Sequence, residues 1–401
     1  MTKNNYTHAA IVPLIGGLPL GTEKVFGKKP EYILTYSAFG ANDSQYVAYH
    51  NGTVPYYRID ENEVPSSLKA VDVIGATCPC AGLSSLSPSS SSDNKANDWM
   101  VESAKYVLGE VKPKVFWGEN APRLASKMGE PIVKELRKVA KENGYKMSLY
   151  KTKSKLHGLS QTRDRSFYFF WKGDEIPYMN FYRRPHEKIE DTIRNAFVSD
   201  DDPMNELTNK NKPSDNPFYK YVLEELEGGI THKEFQNKIE KTTNPLDYLE
   251  NRGIEYDEVS EWMAANGFDK QAKRCLEIHK KLKSGGNIMR KTTEIPKDYI
   301  GAFVGHMPMC LTHPDEDRYL TIRECMAIMK MPSDFQLQGG RKNLNMICQN
   351  VPVTTAEDMA QNIHDWLDGK LDTKQAEFAM FDNKTSAVQY EDVPQTLESF
   401  I

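Results

Sequence analysis

Cys80 stands directly after Pro79 within the segment D-V-I-G-A-T-C-P-C-A-G-L-S, residues 72–84. The apolar part of that segment reads as a buried strand, and the turn after it presents a thiol at the strand's carboxyl end. A thiol so placed can add to an electron-poor carbon if its thiolate is stabilised, since a free cysteine has a pKa of roughly 8.5. Taken alone, the segment fits a buried, inert cysteine equally well. Cys78 and Cys80 form only a C-x-C pair, a poor spacing for metal, and no metal site is expected. A carboxylate follows the apolar run Val115 to Gly118, at Glu119-Asn120. A strand-end carboxyl can share a proton with a ring nitrogen; the plainer reading is an acid facing water. In Gln161-Thr-Arg163-Asp-Arg165 the two arginines fall on one side of an extended segment. They suit a phosphate or a base edge, or form a solvated pair at a strand edge.

Gly16-Gly17 and Gly21, after the apolar run Ile11 to Ile15, offer a strand-to-helix turn where a cofactor can approach the backbone. The turn is not a G-x-G-x-x-G, and Pro19 makes the start of the helix less regular. Asp60, after Ile59, can accept a hydrogen bond from an adenine or a ribose, or is a surface acid. The serine-rich stretch 84–94 reads as a flexible linker by composition. It begins just after Cys80, where a mobile lid over a site would be useful.

The elements that must position these residues alternate in type. Ile33 to Ser37, Val71 to Thr77, Val115 to Gly118, Tyr145 to Tyr150 and Ser166 to Trp171 read as strands. Asp98 to Leu108 and Pro131 to Glu142 read as helices. The pattern predicts an α/β fold, a parallel sheet with helices on both faces and ligands at the carboxyl ends of its strands. After Trp171 the composition turns polar, and residues 172–300 read as a second domain or a large insertion with helices at Tyr221 to Glu227 and Asp269 to Leu282. A helix is expected within Arg318 to Met331, starting near Thr321 and stopping before Pro332. Gln349 to Leu367 reads as a strand-turn and a helix, and the weakly patterned stretch after Gly369 as a mobile tail.

With 401 residues the chain suits one large and one smaller domain. Its 51 basic and 56 acidic residues give a net charge of −5. That argues against a surface coated in positive charge, although a local basic groove is enough to neutralise phosphates. No run of 18 apolar residues exists, so no membrane span is expected. Met1 to Ala10 lacks the pattern of a secretory signal. Six scattered cysteines in a chain of this size point to reduced thiols and a cytoplasmic location.

The order of the segments is more specific than any one of them. Pro79-Cys80, Glu119-Asn120, Gln161 with Arg163 and Arg165, Arg318-Tyr-Leu-Thr321-Ile-Arg323-Glu324 and Gln349-Asn350-Val351-Pro352 resemble, in order, five motifs of the DNA cytosine carbon-5 methyltransferase family, and in particular its phage-like members. The resemblance spans about residues 9 to 368. It implies a Rossmann-like S-adenosylmethionine-dependent methyltransferase sheet, residues 1–172 plus 339–370, with a second, smaller target-recognition domain at 173–338 and a tail at 371–401. It further implies catalytic roles for Cys80, Glu119, Arg163 and Arg165. S-adenosylmethionine would meet Ile15, Gly16, Gly17, Asp60 and Asn350. Pro79, Ser84, Asn120 and Gln161 would meet the substrate, and Thr292 and Thr293, beside a loop at 284–293, would meet bases. The partner implied is double-stranded DNA, bound by a monomer. Where the family's cofactor turn reads D-L-F-x-G-x-G-G, this chain keeps the glycines and has Val12-Pro13-Leu14-Ile15 before them; no acid stands at 37–42 for a ribose, Asp43 being the nearest. Two other readings stay open at this stage: an RNA cytosine methyltransferase of the same fold, and a methyltransferase-like module that binds DNA without turnover.

Overall fold

Alternation of large apolar side chains builds the centre of the molecule. Along Phe167-Tyr168-Phe169-Phe170-Trp171 the odd positions enter one core and the even positions another, because successive side chains of a strand point to opposite faces. The computed structural model describes residues 5–79, 82–84, 90–286, 288 and 292–392. Its strands are β1 (His8–Ile11), β2 (Ile33–Thr35), β3 (Tyr56–Arg58), β4 (Val73–Ala76), β5 (Val115–Asn120), β6 (Tyr145–Lys153), β7 (Asp164–Lys172), β8 (Glu175–Pro177), β9 (Thr373–Gln375), β10 (Phe378–Asp382) and β11 (Ala387–Glu391). Among the described residues nine of them form one sheet in the order β11-β10-β6-β7-β5-β4-β1-β2-β3, and β8 pairs with β9 apart from it. The sheet is mostly parallel; β7 runs against both β5 and β6, and β11 against β10.

Helices α1 (Gly17–Phe26), α2 (Gly40–Tyr49), α3 (Asp98–Tyr106) and α4 (Glu130–Glu142) connect the early strands. On one face of the sheet α3 and α4 cover Ile74, Phe116, Tyr168 and Phe170, and Phe116 stacks on Phe170 with centroids 5.5 Å apart. The sheet's other face carries a stacked ladder, Trp117 on Phe169 at 5.9 Å and Phe169 on Trp171 at 5.4 Å, within the core that holds Val351, Ala356 and Met359. Burial of these aromatic rings contributes on the order of 25 cal/mol per Å² of apolar surface.

Past β8 come α5 (Ile189–Arg194), α6 (Pro217–Tyr221), α7 (His232–Lys238), α8 (Pro245–Asn251), α9 (Tyr256–Ala265), α10 (Asp269–Lys283), α11 (Ile322–Ile328), α12 (Leu344–Gln349) and α13 (Val353–Leu367). Helices α6 to α10 enclose a core of their own, from Phe218 to Ile295. That core is narrower than the 173–338 expected for a second domain. Ile189, Ile193, Met204, Ile300, Phe303 and the residues of α11 instead share a core with Ile15, Leu20, Ile33 and Tyr46. The segment Gln349-Pro352 is not a strand: Gln349 ends α12, residues 350–352 turn into α13, and α13 packs along α1.

The expected mobile tail needs correction. Residues after Gly369 extend the sheet: β10 pairs in parallel with β6 and forms a hairpin with β11. Phe378 enters one core, Ala379 and Phe381 the other. Charged residues flank this short run and hide it in the sequence, and they tie β10 to β6 through ion pairs, Glu377 with Lys146 at 2.8 Å and Asp382 with Lys151 at 2.9 Å. None of the described helices is long and apolar enough to cross a membrane.

Candidate active site

Strands β1 and β4 lie side by side, yet the chain leaves β1 toward β2 on one flank and returns to β4 on the other. Their carboxyl ends form a topological switch point, the crevice where open α/β sheets bind ligands. Two groups of sequence-predicted residues follow the strands at this edge, and a third lies in the segments packed beyond it.

The first is the turn after β1. The strand ends at Ile11, and the turn begins before the glycines do. Val12 (φ 48°), Leu14 (φ 54°) and Gly16 (φ 104°) all lie in the left-handed region, which non-glycine residues adopt at some cost. Two buried side chains brace this turn from behind. Asn350 Oδ1 accepts from the Gly17 amide at 2.8 Å, and Asp43 Oδ1 accepts from the Leu14 amide at 2.8 Å. Asp43 also accepts from the Thr35 hydroxyl. Burial pushes the Asp43 carboxyl up to about 7, against the hydrogen bonds from Thr35 and Leu14 that favour its charged form. A side chain at residue 17 would meet the Val351 carbonyl and Asn350, which is why glycine stands there. Ile15 is fully buried in the core with Leu20. Asp60, exposed past β3, accepts from the Ser37 amide at 2.9 Å and 3.1 Å and from the Ser37 hydroxyl at 2.5 Å.

The second group follows β4 and β5. Cys80, with residues 81 and 85–89, lies outside the described residues. The residues on either side are well placed. Asn120 is buried, and its Nδ2 donates to the Pro79 carbonyl at 3.4 Å. Its Oδ1 accepts from the Ala121 amide at 2.8 Å. Leu83 is buried in the core and Ser84 is half-buried beyond it. At the far end of the serine-rich stretch, Asn97 donates to the carbonyls of Ser91 and Ser92, and Arg123 to the Ser90 hydroxyl at 2.8 Å. Buried Glu119 forms an ion pair with Arg165, which reaches it from β7. Cys78, 2% exposed, makes weak sulfur contacts with Tyr168 and Ser103. Burial pushes its thiol up to about 11, so it is no ready nucleophile.

The third group is structural in its contacts. Gln161 is fully buried; its Oε1 accepts from the Phe303 amide at 3.2 Å and its Nε2 donates to the Ile328 carbonyl at 3.3 Å. Arg163 is buried too and donates to the Phe303 carbonyl at 2.9 Å, whereas Arg165 meets Glu119. The two arginines therefore do not act as a pair. Thr321 and Glu324 make the capping box of α11, Arg318 pairs with Glu324 at 2.8 Å, and Arg323 with buried Asp202 at 2.7 Å. Thr293 shares a hydrogen bond with Tyr319 at 2.8 Å, while the buried Thr292 hydroxyl has no partner. Arg183 and Arg184 are taken up by Asn383 and Asp358.

Sequence reasoning missed Thr77. This residue directly follows β4 at the switch point, and its buried hydroxyl has no partner. It also missed the bracing role of Asp43, whose only signal was its place as the acid nearest the expected ribose position.

The C-5 cytosine-specific DNA methylase family model matches residues 15–365. The chain belongs to this family. Comparison with curated protein sequences gives no match. Among solved structures, a DNA modification methyltransferase encoded within an E. coli prophage is similar over 90% of this chain and 99% of its own, at 16% identity and a TM-score of 0.55. The Entamoeba histolytica methyltransferase EhMeth (11% identity, TM-score 0.52) and the S. pombe Dnmt2 methyltransferase (12%, 0.51) each cover 91% of this chain and 99% of their own. At such identities these neighbours show a shared fold, and the family's fold accounts for the switch-point crevice described above.

Proposed function

We propose that this methylase transfers a methyl group to carbon 5 of cytosine in double-stranded DNA through a covalent bond between Cys80 and carbon 6. The observation that supports it most is the meeting of Glu119 with Arg165, beside Asn120, which holds the Pro79 carbonyl next to Cys80. Cys78, the other thiol of the segment, is ruled out by burial.

Carbon 5 of cytosine is a weak nucleophile, and covalent addition overcomes this. Cys80 adds to carbon 6 while Glu119 supplies a proton to ring nitrogen 3. Arg165 fixes the Glu119 carboxyl and faces the oxygen of the base. After carbon 5 has taken its methyl group, loss of its proton to a base expels the Cys80 thiolate, and ring nitrogen 3 returns its proton to Glu119. The target atom is unreachable inside a duplex, so the base turns out of the stack.

The cofactor reading is S-adenosylmethionine, which supplies an electrophilic methyl group when bound. The chain's own residues fit it. The Thr77 hydroxyl is an orphaned buried donor at the switch point, Ser37 and Asp60 make an exposed polar ledge for an adenosine, and the left-handed turn at 12–16 turns backbone rather than side chains to the crevice. Helices α6 to α10 and the following loop are the part we assign to DNA recognition.

The protein is incubated with S-adenosylmethionine and mixed-sequence duplex DNA, and 5-methylcytosine is sought by mass spectrometry. DNA should be modified and transfer RNA not; the reverse outcome moves the substrate to RNA. Cys80→Ser should abolish transfer. A duplex carrying 5-fluorocytosine should trap a covalent complex with the wild type only, because fluorine stands in place of the proton that must leave carbon 5.

A further inference from the structure

A groove in the helical unit lies apart from the active site and combines apolar walls with cations. Its cavity of about 410 Å³ falls in the range of small-ligand sites. Phe218, Leu246, Ile278 and Ile288 supply apolar walls, and Arg274 and Lys281 a cationic side. Gln271, Arg274, Ile278 and Lys281 recur along α10 at helical spacing, so one stripe of the helix faces the groove. Asn216, whose Oδ1 caps α6, and Thr292 complete it. Thr292 is 8% exposed, and its hydroxyl has no hydrogen-bond partner. A buried hydroxyl left unpaired is unfavourable, and a ligand atom would relieve that cost. No ion pair engages Arg274 or Lys281 among the described residues. Lys273 and Lys280 lie on another side of α10, away from the groove.

We propose that this groove takes one unstacked nucleotide of the bound DNA, its base against the apolar walls and the Thr292 hydroxyl, its phosphate between Arg274 and Lys281. The combination is what a nucleotide needs: a flat apolar slot, a hydrogen-bonding group at its base, and two free cations at the rim. The inference rests on the reading of DNA as substrate. A nucleotide held here would fix the register of the duplex and read one base outside the target cytosine.

Binding of duplex DNA by the full chain is measured across a salt series for the wild type, Arg274→Ala/Lys281→Ala, Lys273→Ala/Lys280→Ala and Thr292→Val. All four exchanged cations are exposed, so the fold should tolerate their loss. The groove pair should weaken binding about tenfold or more and flatten the salt dependence by one to two charges. The pair on the other side of the helix should change it less than twofold. Thr292→Val should leave the salt dependence alone and relax preference at one base position in a randomised duplex. Equal losses for the two cation pairs would reduce the groove to general charge attraction and overturn the proposal. So would a mononucleotide that binds the groove while Arg274→Ala/Lys281→Ala leaves DNA affinity untouched. Wild-type protein that binds no DNA would instead fail the substrate reading itself.

Discussion

At the carboxyl end of β5 polar side chains meet one another, whereas at the carboxyl end of β1 they are turned away from the crevice. Glu119 and Arg165 are paired, and Asn120 clasps the Pro79 carbonyl. Around the β1 turn, Asp43 and Asn350 are buried behind the chain, holding the Leu14 and Gly17 amides and so a backbone with left-handed residues. One strand end presents side-chain chemistry; the other presents shaped backbone. Damage to the two should therefore read out differently, as turnover at β5 and as cofactor affinity and stability at β1.

The largest effect is expected at β5. Glu119→Gln keeps the shape of the side chain but removes the carboxyl group that pairs with Arg165 and exchanges a proton with the base. Loss of a positioned general acid lowers rates by about 10²–10⁴-fold. We expect kcat for methyl transfer to fall in that range with DNA affinity held within a few-fold. Full turnover in this variant would mean that the pair with Arg165 is a structural clip, and the contrast between the strand ends would collapse.

Gly17→Ala tests the other side. The added carbon would run into the Val351 carbonyl and the Asn350 side chain, both buried. Overpacking of that kind is unfavourable by about 1–3 kcal/mol. The urea midpoint should fall, and KM for S-adenosylmethionine should rise more than kcat falls. A lowered kcat with unchanged KM and midpoint would show that the turn takes part in chemistry rather than shaping a cradle.

The same contrast explains what the sequence made legible. Side-chain chemistry leaves identifiable letters in order, so Pro79, Glu119, Asn120 and Arg165 were found together. The main strands were also readable, because Val115 to Gly118 and Phe167 to Trp171 are apolar on both faces, as buried strands are. The β1 turn was harder. Left-handed backbone at Val12 and Leu14 has no letter of its own when glycine does not carry it, and Asp43, thirty residues away in sequence, gives no local sign that it supports that turn. Gln161 and Arg163 matched a motif, yet burial and backbone partners make them braces for the segment around Phe303. Strand β10 and the edge strand β11 were lost because each is only five residues long and polar or charged residues surround them, so they resemble a polar tail.

The smallest effect is the most direct probe of the brace. The Asp43 carboxyl is pushed up to about 7 in the fold from an ordinary value of 3.8. Between those values the native state holds a proton that the unfolded chain has released. Its contribution to stability is therefore full below about pH 4 and is lost as pH rises toward 7, with a slope of at most about 1.4 kcal/mol per pH unit. Asp43→Asn cannot titrate, but it keeps an acceptor for the Leu14 amide and turns a donor toward Thr35. Urea denaturation at several pH values should give this variant a flatter stability profile from pH 4 to 7. Above pH 7 it should be at least as stable as the wild type. Glu294, in the helical unit, is likewise pushed up to about 7 by burial, with a hydrogen bond from Asn244 opposing the shift. Glu294→Gln should thus remove a separate share of the slope, and the double variant both shares. If Asp43→Asn leaves the profile unchanged while Glu294→Gln flattens it, the proton sits in the helical unit. The β1 turn would then be held by an ionised carboxylate, and its brace would be electrostatic as well as steric.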